Sequence, residues 1–125
     1  MPKKKGGKVC AGIEIGSDMV TMQIAQNHGG TVAVLDQLEC FFDLEKEIAS
    51  SGRVSQASMQ ELCRILLGFK QEMESFGVEQ YRLFSTDFLR GAENLSFIVS
   101  QLMGRTGLTL EIVSDEEEKG LLYWQ

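Results

Sequence analysis

The chain has 125 residues, 43% of them hydrophobic, which predicts one globular domain with a single core. Its formal net charge of −6 argues against a nucleic-acid-binding protein, because such proteins present a basic face. No run reaches the roughly 20 apolar residues that span a bilayer, and the basic start lacks the apolar run of a secretory signal, so we expect no membrane partner. Three scattered cysteines (Cys10, Cys40 and Cys63) lie among apolar neighbours and predict buried, reduced thiols in a cytoplasmic protein.

The first half of the chain predicts a three-stranded antiparallel meander. The strands are expected at residues 9–15, 19–26 and 31–42. Small residues at 16–18 and at 27–30 are typical of the turns between them. We expect His28, the one histidine, in the exposed tip of the second turn. Residues 43–54 fit a loop or a short helix.

The second half alternates helices with strands. Ser55 fits an N-cap, and apolar residues at three- and four-residue steps predict a helix that ends at Gly77. The later elements are expected as a strand at 80–86, a helix at 92–105, a strand at 108–113 and a helix capped by Ser114. The order βββαβαβα predicts an α/β fold, a five-stranded mixed sheet with helices packed on it. We expect residues 1–7 to form a flexible basic arm and residues 8–125 to form the folded lobe.

The first candidate for chemistry is the turn after the first strand. Gly16 would allow the backbone to approach a ligand closely, and the amides of the turn with the Ser17 hydroxyl can bind phosphate oxygens. Glu14, near the end of the strand, can hold a hydrated Mg²⁺ beside that phosphate. A plain tight hairpin fits the same residues, and it is the simpler interpretation of this segment alone.

The second candidate follows the fourth predicted strand, where open α/β sheets place their ligands. Thr86 can donate to a phosphate oxygen, and Arg90 can bind one with two parallel hydrogen bonds. An Asp-capped helix start with a surface arginine is the alternative for this segment.

The third candidate is the acidic run after Ser114. Adjacent carboxylates repel one another, and partial burial can make one of them a general base. Glu118 lies one helical turn past Ser114, where it could face a cleft. An N-capped helix with a solvated acidic face is the alternative, and we accept it for Asp115 and Glu116.

Together these segments resemble the exopolyphosphatase / guanosine pentaphosphate phosphohydrolase (Ppx/GppA) family. AGIEIGSDMVTMQIA is similar to the opening phosphate loop of the family, and FSTDFLRGAEN to its Thr-x-x-x-Arg-x-Ala-x-Asn block. GLTLEIVSDEEEKGLLY is similar to its Gly-x-x-x-x-Ile-[IV]-Ser-x-x-Glu-Glu segment. The three blocks occur in the family's order over nearly the whole chain. The resemblance implies a ribonuclease-H-like lobe of an actin-like (ASKHA) fold, the N-terminal part of a truncated two-lobe phosphohydrolase.

The resemblance also implies an enzyme that releases the terminal phosphate of inorganic polyphosphate, or a phosphate of guanosine pentaphosphate, with Mg²⁺ and an attacking water. It implies catalytic roles for Glu118, Glu117 and Arg90, phosphate binding by Gly16, Ser17, Asp18 and Thr86, and metal binding by Glu14. A homodimer is a candidate state of the full-length protein. We expect the second phosphate loop beyond Gln125, and therefore no turnover by the isolated chain.

Several departures from the family's pattern leave other functions open. The family has Asp at the position of Glu14, and Asn and Ser at those of Asp18 and Met19. It has Ala-Arg in place of Lys119-Gly120, and a basic-glycine motif near residues 41–44 that this chain lacks. The hydrolase is the first hypothesis. Asp18 and Met19 favour the alternative, a degenerate, non-catalytic relative that binds a phosphate-rich ligand or a partner. A small-molecule kinase lobe is the third hypothesis, and the acidic helix argues against it.

Overall fold

The computed structural model of the chain describes residues 7–114. The strands are β1 (Lys8–Ile15), β2 (Met19–His28), β3 (Thr31–Phe41), β4 (Gln80–Ser85) and β5 (Leu110–Ile112). The α-helices are α1 (Leu44–Ser51), α2 (Gln56–Ser75) and α3 (Leu95–Thr106), and a 3₁₀ helix spans Asp87–Gly91. The predicted helix after Ser114 and most of the predicted basic arm lie outside the described residues.

The five strands form one mixed sheet in the order β3-β2-β1-β4-β5. Strands β1 and β2 pair antiparallel, as do β2 and β3, which confirms the predicted meander. Strands β4 and β5 extend the sheet with parallel pairing on the other side of β1. The polypeptide must return to the start of β4 after leaving β3, and the helices α1 and α2 make that crossover. The predicted five-stranded mixed sheet is confirmed.

Alternation along the strands puts one face of the sheet in the core. In β1 the buried residues Ala11, Ile13 and Ile15 are separated by half-buried ones, as the two-residue period of a strand requires. Helices α2 and α3 cover this face. They contribute the buried residues Met59, Leu62, Leu66, Phe69, Met73, Ile98 and Leu102. Burying one such large side chain stabilises the fold by about 1.5–3 kcal/mol.

Both predicted ends of α2 are confirmed. The Ser55 hydroxyl accepts a hydrogen bond from Ser58 N at 3.1 Å, which satisfies one of the helix's first amides. At the other end Gly77 has a φ of +66°. Val78 N donates to Met73 O at 3.0 Å, the bond of a Schellman motif. A side chain at Gly77 would strain this left-handed residue, so the glycine fixes where the helix ends.

The region around the predicted helix at 92–105 differs from the prediction. Ala92 is extended (ψ 126°), and α3 begins only at Leu95. Asn94 Nδ2 donates to Val54 O at 2.9 Å, and Asn94 Oδ1 accepts from Val54 N at 3.1 Å. These bonds between segments 40 residues apart hold the backbone out of the helix. The residues before Ala92 form the 3₁₀ helix, which the apolar period did not predict.

The cysteines and one aromatic residue also differ in part from expectation. All three cysteines are free, but only Cys63 is buried, whereas Cys10 and Cys40 are half-buried. Burial raises the pKa of the Cys63 thiol. Phe41 ends the edge strand β3 and is 80% exposed, although it lies in a largely apolar predicted strand. Among the described residues, no helix combines the length and apolar character needed to cross a membrane.

Candidate functional site

A groove lies where β1 and β4 end. The two strands are parallel neighbours, with Ile15 paired to Ser85. The residues that follow β1 and β4 therefore lie side by side at the same end of the sheet. The groove has a volume of about 480 Å³. We call it the strand-end groove. It is lined by Glu14, Gly16, Ser17, Asp18, Met19, Thr21, Glu45, Thr86, Asp87 and Phe88.

The turn between β1 and β2 forms one wall of the strand-end groove. Gly16 N donates to Met19 O at 2.8 Å and closes the turn. A Cβ atom on Gly16 would lie 3.0 Å from Met19 O, so the turn needs glycine for space. Within residues 7–114, the amides of Ser17 and Asp18 have no hydrogen-bond acceptor. They remain available to a ligand.

The same turn is fastened to the start of α1 through its carbonyl groups. Ser17 O accepts a hydrogen bond from Glu45 N at 2.9 Å, and Asp18 O accepts from Phe42 N at 3.0 Å. Since the carbonyl groups of the turn are engaged on the α1 side, its backbone is held in place before any ligand arrives. Such fixed donors lose little entropy on binding an anion.

Ser85 connects the segments that meet at the strand-end groove. It is fully buried, and its Oγ donates to Ile15 O at 2.7 Å. Its carbonyl oxygen accepts from Val113 N at 2.8 Å. One residue therefore ties together the ends of β1 and β4 and the chain just before Ser114. Ser85 was not among the residues predicted for the site. The available signal was a serine that directly follows two apolar residues, Leu83 and Phe84, at the end of β4.

Thr86 and Asp87 form another part of the wall. Thr86 is the N-cap of the 3₁₀ helix, yet its side chain makes no capping hydrogen bond. The helix is anchored by Leu89, which is fully buried and whose N donates to Thr86 O at 3.2 Å. The Thr86 hydroxyl is thus presented to the strand-end groove on an anchored segment.

Arg90 is not among the residues that line the strand-end groove. Its Nε donates to Asp87 Oδ1 at 2.8 Å, and the two side chains are 57% and 58% exposed. An exposed ion pair contributes only about 0–1 kcal/mol, so little free energy holds Arg90 in this orientation. In the same sequence block, Ala92 is buried and Asn94 binds the Val54 backbone, so these two residues stabilise the fold.

The carboxylate of Glu14 lies on the face of the sheet away from the core. Glu14 is half-buried and is paired in register with Thr21 of β2 and with Phe84 of β4. Glu117 and Glu118 lie outside the described residues, so their position is not part of this geometry. The described chain ends at Ser114, directly after the bond between Val113 and Ser85.

The strand-end groove is acidic. Of the lining residues within 7–114, four carry carboxylates and none is Lys or Arg. The acids are Glu14, Asp18, Glu45 and Asp87. Glu45 was not predicted as a site residue, because residues 43–54 show no clear hydrophobic period. A phosphate that enters the groove meets backbone and hydroxyl donors, but it needs a cation to offset the surrounding negative charge.

The residues present are compatible with Mg²⁺. Within residues 7–114, no group of three or more His, Cys, Asp or Glu side chains is arranged to hold a metal ion. However, Mg²⁺ is commonly held by one or two protein carboxylates, with water and phosphate oxygens completing its shell. Glu14 and Asp18 supply two carboxylates on the same groove.

Comparison with known proteins identifies the family of this chain. A sequence model of the Ppx/GppA phosphatase family matches residues 23–124. The chain belongs to this family. The guanosine-5'-triphosphate,3'-diphosphate pyrophosphatase of Photobacterium profundum is 26% identical over 113 residues, which are 90% of this chain and 23% of that Ppx/GppA protein.

Solved Ppx/GppA structures have the same fold. The Aquifex aeolicus family member superposes with a TM-score of 0.84 at 25% identity, over 89% of this chain and 36% of that one. An exopolyphosphatase from Cytophaga hutchinsonii superposes with a TM-score of 0.82 at 15% identity, over 91% of this chain and 36% of that one. The resemblance and the actin-like fold predicted from the sequence are confirmed. The chain spans about a third of these solved Ppx/GppA structures and 23% of the curated relative.

Proposed function

We propose that this chain is the phosphate-binding lobe of a Ppx/GppA phosphohydrolase acting on inorganic polyphosphate or guanosine pentaphosphate. The observation that supports it most directly is the meeting of the turn at residues 16–18 with Thr86 in one groove. Relatives of this chain are described as an exopolyphosphatase and as a guanosine-5'-triphosphate,3'-diphosphate pyrophosphatase. Both substrates present a terminal phosphate of the size that such a groove accommodates.

In this proposal the turn binds the oxygens of the phosphate that is transferred. The backbone amides of Ser17 and Asp18 donate hydrogen bonds to these oxygens. Gly16 has no side chain, so the phosphate can approach the backbone closely. The hydroxyl groups of Ser17 and Thr86 add two further donors. Phosphoryl transfer depends mainly on such positioned donors, because charge spreads over the phosphate oxygens in the transition state.

Glu14 and Asp18 are the residues we propose to hold Mg²⁺. When bound there, Mg²⁺ would supply positive charge that offsets both these carboxylates and the phosphate oxygens. Arg90 would exchange its exposed bond with Asp87 for a phosphate oxygen, which costs little because the pair is solvated. Glu118, assisted by Glu117, would accept a proton from the attacking water.

We further propose that residues 1–125 bind a phosphate chain without turning it over. The solved relatives are about two and a half times as long, and residues beyond this portion would complete the cleft in them. A reducing, cytoplasmic compartment is proposed because the three cysteines are free. A homodimer of the full-length protein remains a prediction.

Calorimetric titration of the chain with inorganic tripolyphosphate and Mg²⁺ tests this proposal. Thr86→Val should weaken binding about tenfold or more, because a hydrogen bond to a charged group contributes about 1.5–3 kcal/mol. Thr109→Val is the matched control, since Thr109 is exposed, directly precedes the edge strand β5 and does not line the groove. Equal affinities in all three proteins, or equal losses in both variants, would contradict the proposed site.

Asp18 stands in the phosphate-binding turn where the family has Asn, and this departure favours a second candidate, a non-catalytic relative that binds a phosphate-rich ligand or a partner. Among the described lining residues, four carboxylates without a Lys or Arg repel a phosphate unless a cation offsets their charge. The hydrolase and the non-catalytic relative can be distinguished with a longer protein that contains this chain. The measurement is phosphate release from polyphosphate or guanosine pentaphosphate. Release that stops with Glu118→Gln supports the hydrolase, and tight binding without release supports the second candidate.

A further inference from the structure

Glu45 has two distinct contacts with the strand-end groove. Its backbone N–H donates to Ser17 O at 2.9 Å and so helps to hold the phosphate-binding turn. Its side chain is exposed and lines the groove. The first of these contacts does not depend on side-chain identity. The carboxylate can therefore be replaced while the backbone support of the turn remains.

The charge of Glu45 differs from that of the other acids in its surroundings. Asp87 is paired with Arg90, and Glu14 and Asp18 are the proposed ligands of a cation. Within residues 7–114, the Glu45 side chain forms no hydrogen bond or ion pair. The neighbouring Lys46 is exposed but does not line the groove. The negative charge of the Glu45 carboxylate therefore acts directly on a ligand that enters the strand-end groove.

We infer, on the basis of the proposed function, that Glu45 is a specificity-determining residue that admits a phosphate chain as its divalent-cation complex and rejects the free polyanion. A free triphosphate brings several negative charges beside the Glu45 carboxylate, and the repulsion rises with each of them. A bound divalent cation cancels much of that charge before entry. Glu45 therefore adds to the difference in affinity between the two forms of the ligand.

The test is titration of the chain with inorganic tripolyphosphate, once with Mg²⁺ and once with EDTA, for wild type, Glu45→Gln and Glu45→Lys. The measured quantity is the ratio of affinity with Mg²⁺ to affinity without it. We expect the ratio to fall about threefold in Glu45→Gln and about tenfold in Glu45→Lys, because removing or reversing one nearby charge favours the free polyanion. Thermal melting without ligand checks that both variants fold.

Glu74→Lys is the matched control. Glu74 is exposed in the last turn of α2, and the chain after that helix binds the start of β1 through Glu79 N and Val9 O at 2.8 Å. It therefore lies at the other end of the sheet from the strand-end groove. The same charge change there should leave the ratio within about twofold of wild type, since screened charges at long range interact weakly.

The outcomes separate this inference from the proposed function. An unchanged ratio in both Glu45 variants, or an equal fall in Glu74→Lys, overturns the role of Glu45. In either of those cases, wild-type binding of tripolyphosphate with Mg²⁺ still supports the proposed function. Wild type that binds in neither condition overturns both, even if Glu45→Lys binds. If no protein binds tripolyphosphate in either condition, both are overturned.

Discussion

The two turns of the β meander have similar small-residue sequences but different surroundings. The turn at Gly29–Gly30 joins β2 to β3 with both glycines at positive φ, +57° and +99°. A Cβ atom on either glycine would meet nothing within 4 Å. His28 ends β2 beside it and is exposed, as predicted, although the strand runs two residues further than expected. This turn does no more than reverse the chain.

The turn after β1 is enclosed on several sides. Its carbonyls accept hydrogen bonds from Phe42 and Glu45, and the strand that leads into it is held by Ser85. Glycine is favoured at position 16 because a Cβ atom would lie close to Met19 O, and not because the backbone is left-handed there. The comparison shows that a glycine turn becomes a candidate binding site through the elements that pack around it. Three predictions test this difference, from the largest expected effect to the smallest.

Ser85→Ala should have the largest effect. It leaves the buried Ile15 carbonyl without its side-chain donor, and such a loss costs about 1–3 kcal/mol of unfolding free energy. Urea unfolding measures this cost. Because Ser85 also positions the two walls of the strand-end groove, the affinity for tripolyphosphate with Mg²⁺ should fall as well.

Thr106→Val is the control for Ser85→Ala. The Thr106 hydroxyl is buried and donates to Leu102 O at 2.6 Å, but it lies at the end of α3 away from the groove. We expect comparable destabilisation with unchanged affinity. If both variants lose affinity in proportion to their stability, Ser85 has no specific role in positioning the site.

Gly16→Ala and Gly30→Ala compare the two turns directly. The first forces a Cβ atom against Met19 O, and the second forces alanine into a left-handed conformation. Each should cost about 1–2 kcal/mol in thermal or urea unfolding. Only Gly16→Ala should weaken tripolyphosphate binding. Similar affinities in the two variants would argue that the β1–β2 turn does not bind phosphate.

The smallest effect is expected from a carboxyl pair on the β3 side of the sheet. Asp36 lies beside the register shift between β2 and β3, and its buried Oδ2 has no hydrogen-bond donor within residues 7–114 when both carboxyls are ionised. The pKa of Glu72 is raised from its ordinary 4.5. The main cause is a hydrogen bond with Asp36, and partial burial and the negative charge of Asp36 contribute less. A proton on Glu72 thus supplies the missing donor.

The sign of the pH dependence follows from this shift. The folded state binds the Glu72 proton more tightly than the unfolded state, so the contribution to stability is complete below pH 4.5 and is lost as the pH rises through the folded value. Asp36→Asn should flatten this decline, measured by urea unfolding between about pH 4 and about pH 7. Parallel curves for the two proteins would exclude the pair as a cause. Tripolyphosphate affinity should not change.

Much of the fold could be predicted because its signals are local. The alternation in β1, the cap at Ser55 and the glycine at Gly77 each act within a few residues, and all three are confirmed. The start of α3 could not be predicted in this way. Hydrogen bonds between Asn94 and Val54, 40 residues apart, override the apolar period there.

The candidate site was predictable segment by segment and not as a unit. The residues of the β1–β2 turn and Thr86 were recognised from their chemistry, and the structure brings them together. Arg90 was expected with them, but it lies outside the groove lining and is paired with Asp87. Glu45 was missed because nothing in its own segment indicates that α1 begins beside Gly16.

The sequence by itself determined the five strands, the two long helices α2 and α3, their order and the turns that bear donors, because periodicity and turn chemistry depend on neighbouring residues. Only the tertiary structure decided which side chains share the strand-end groove. The bond between Ser85 and Ile15 joins residues 70 positions apart, and the contact of Glu45 with Ser17 depends on where the crossover begins. Such contacts follow from the pairing of β1 with β4, which no local pattern encodes.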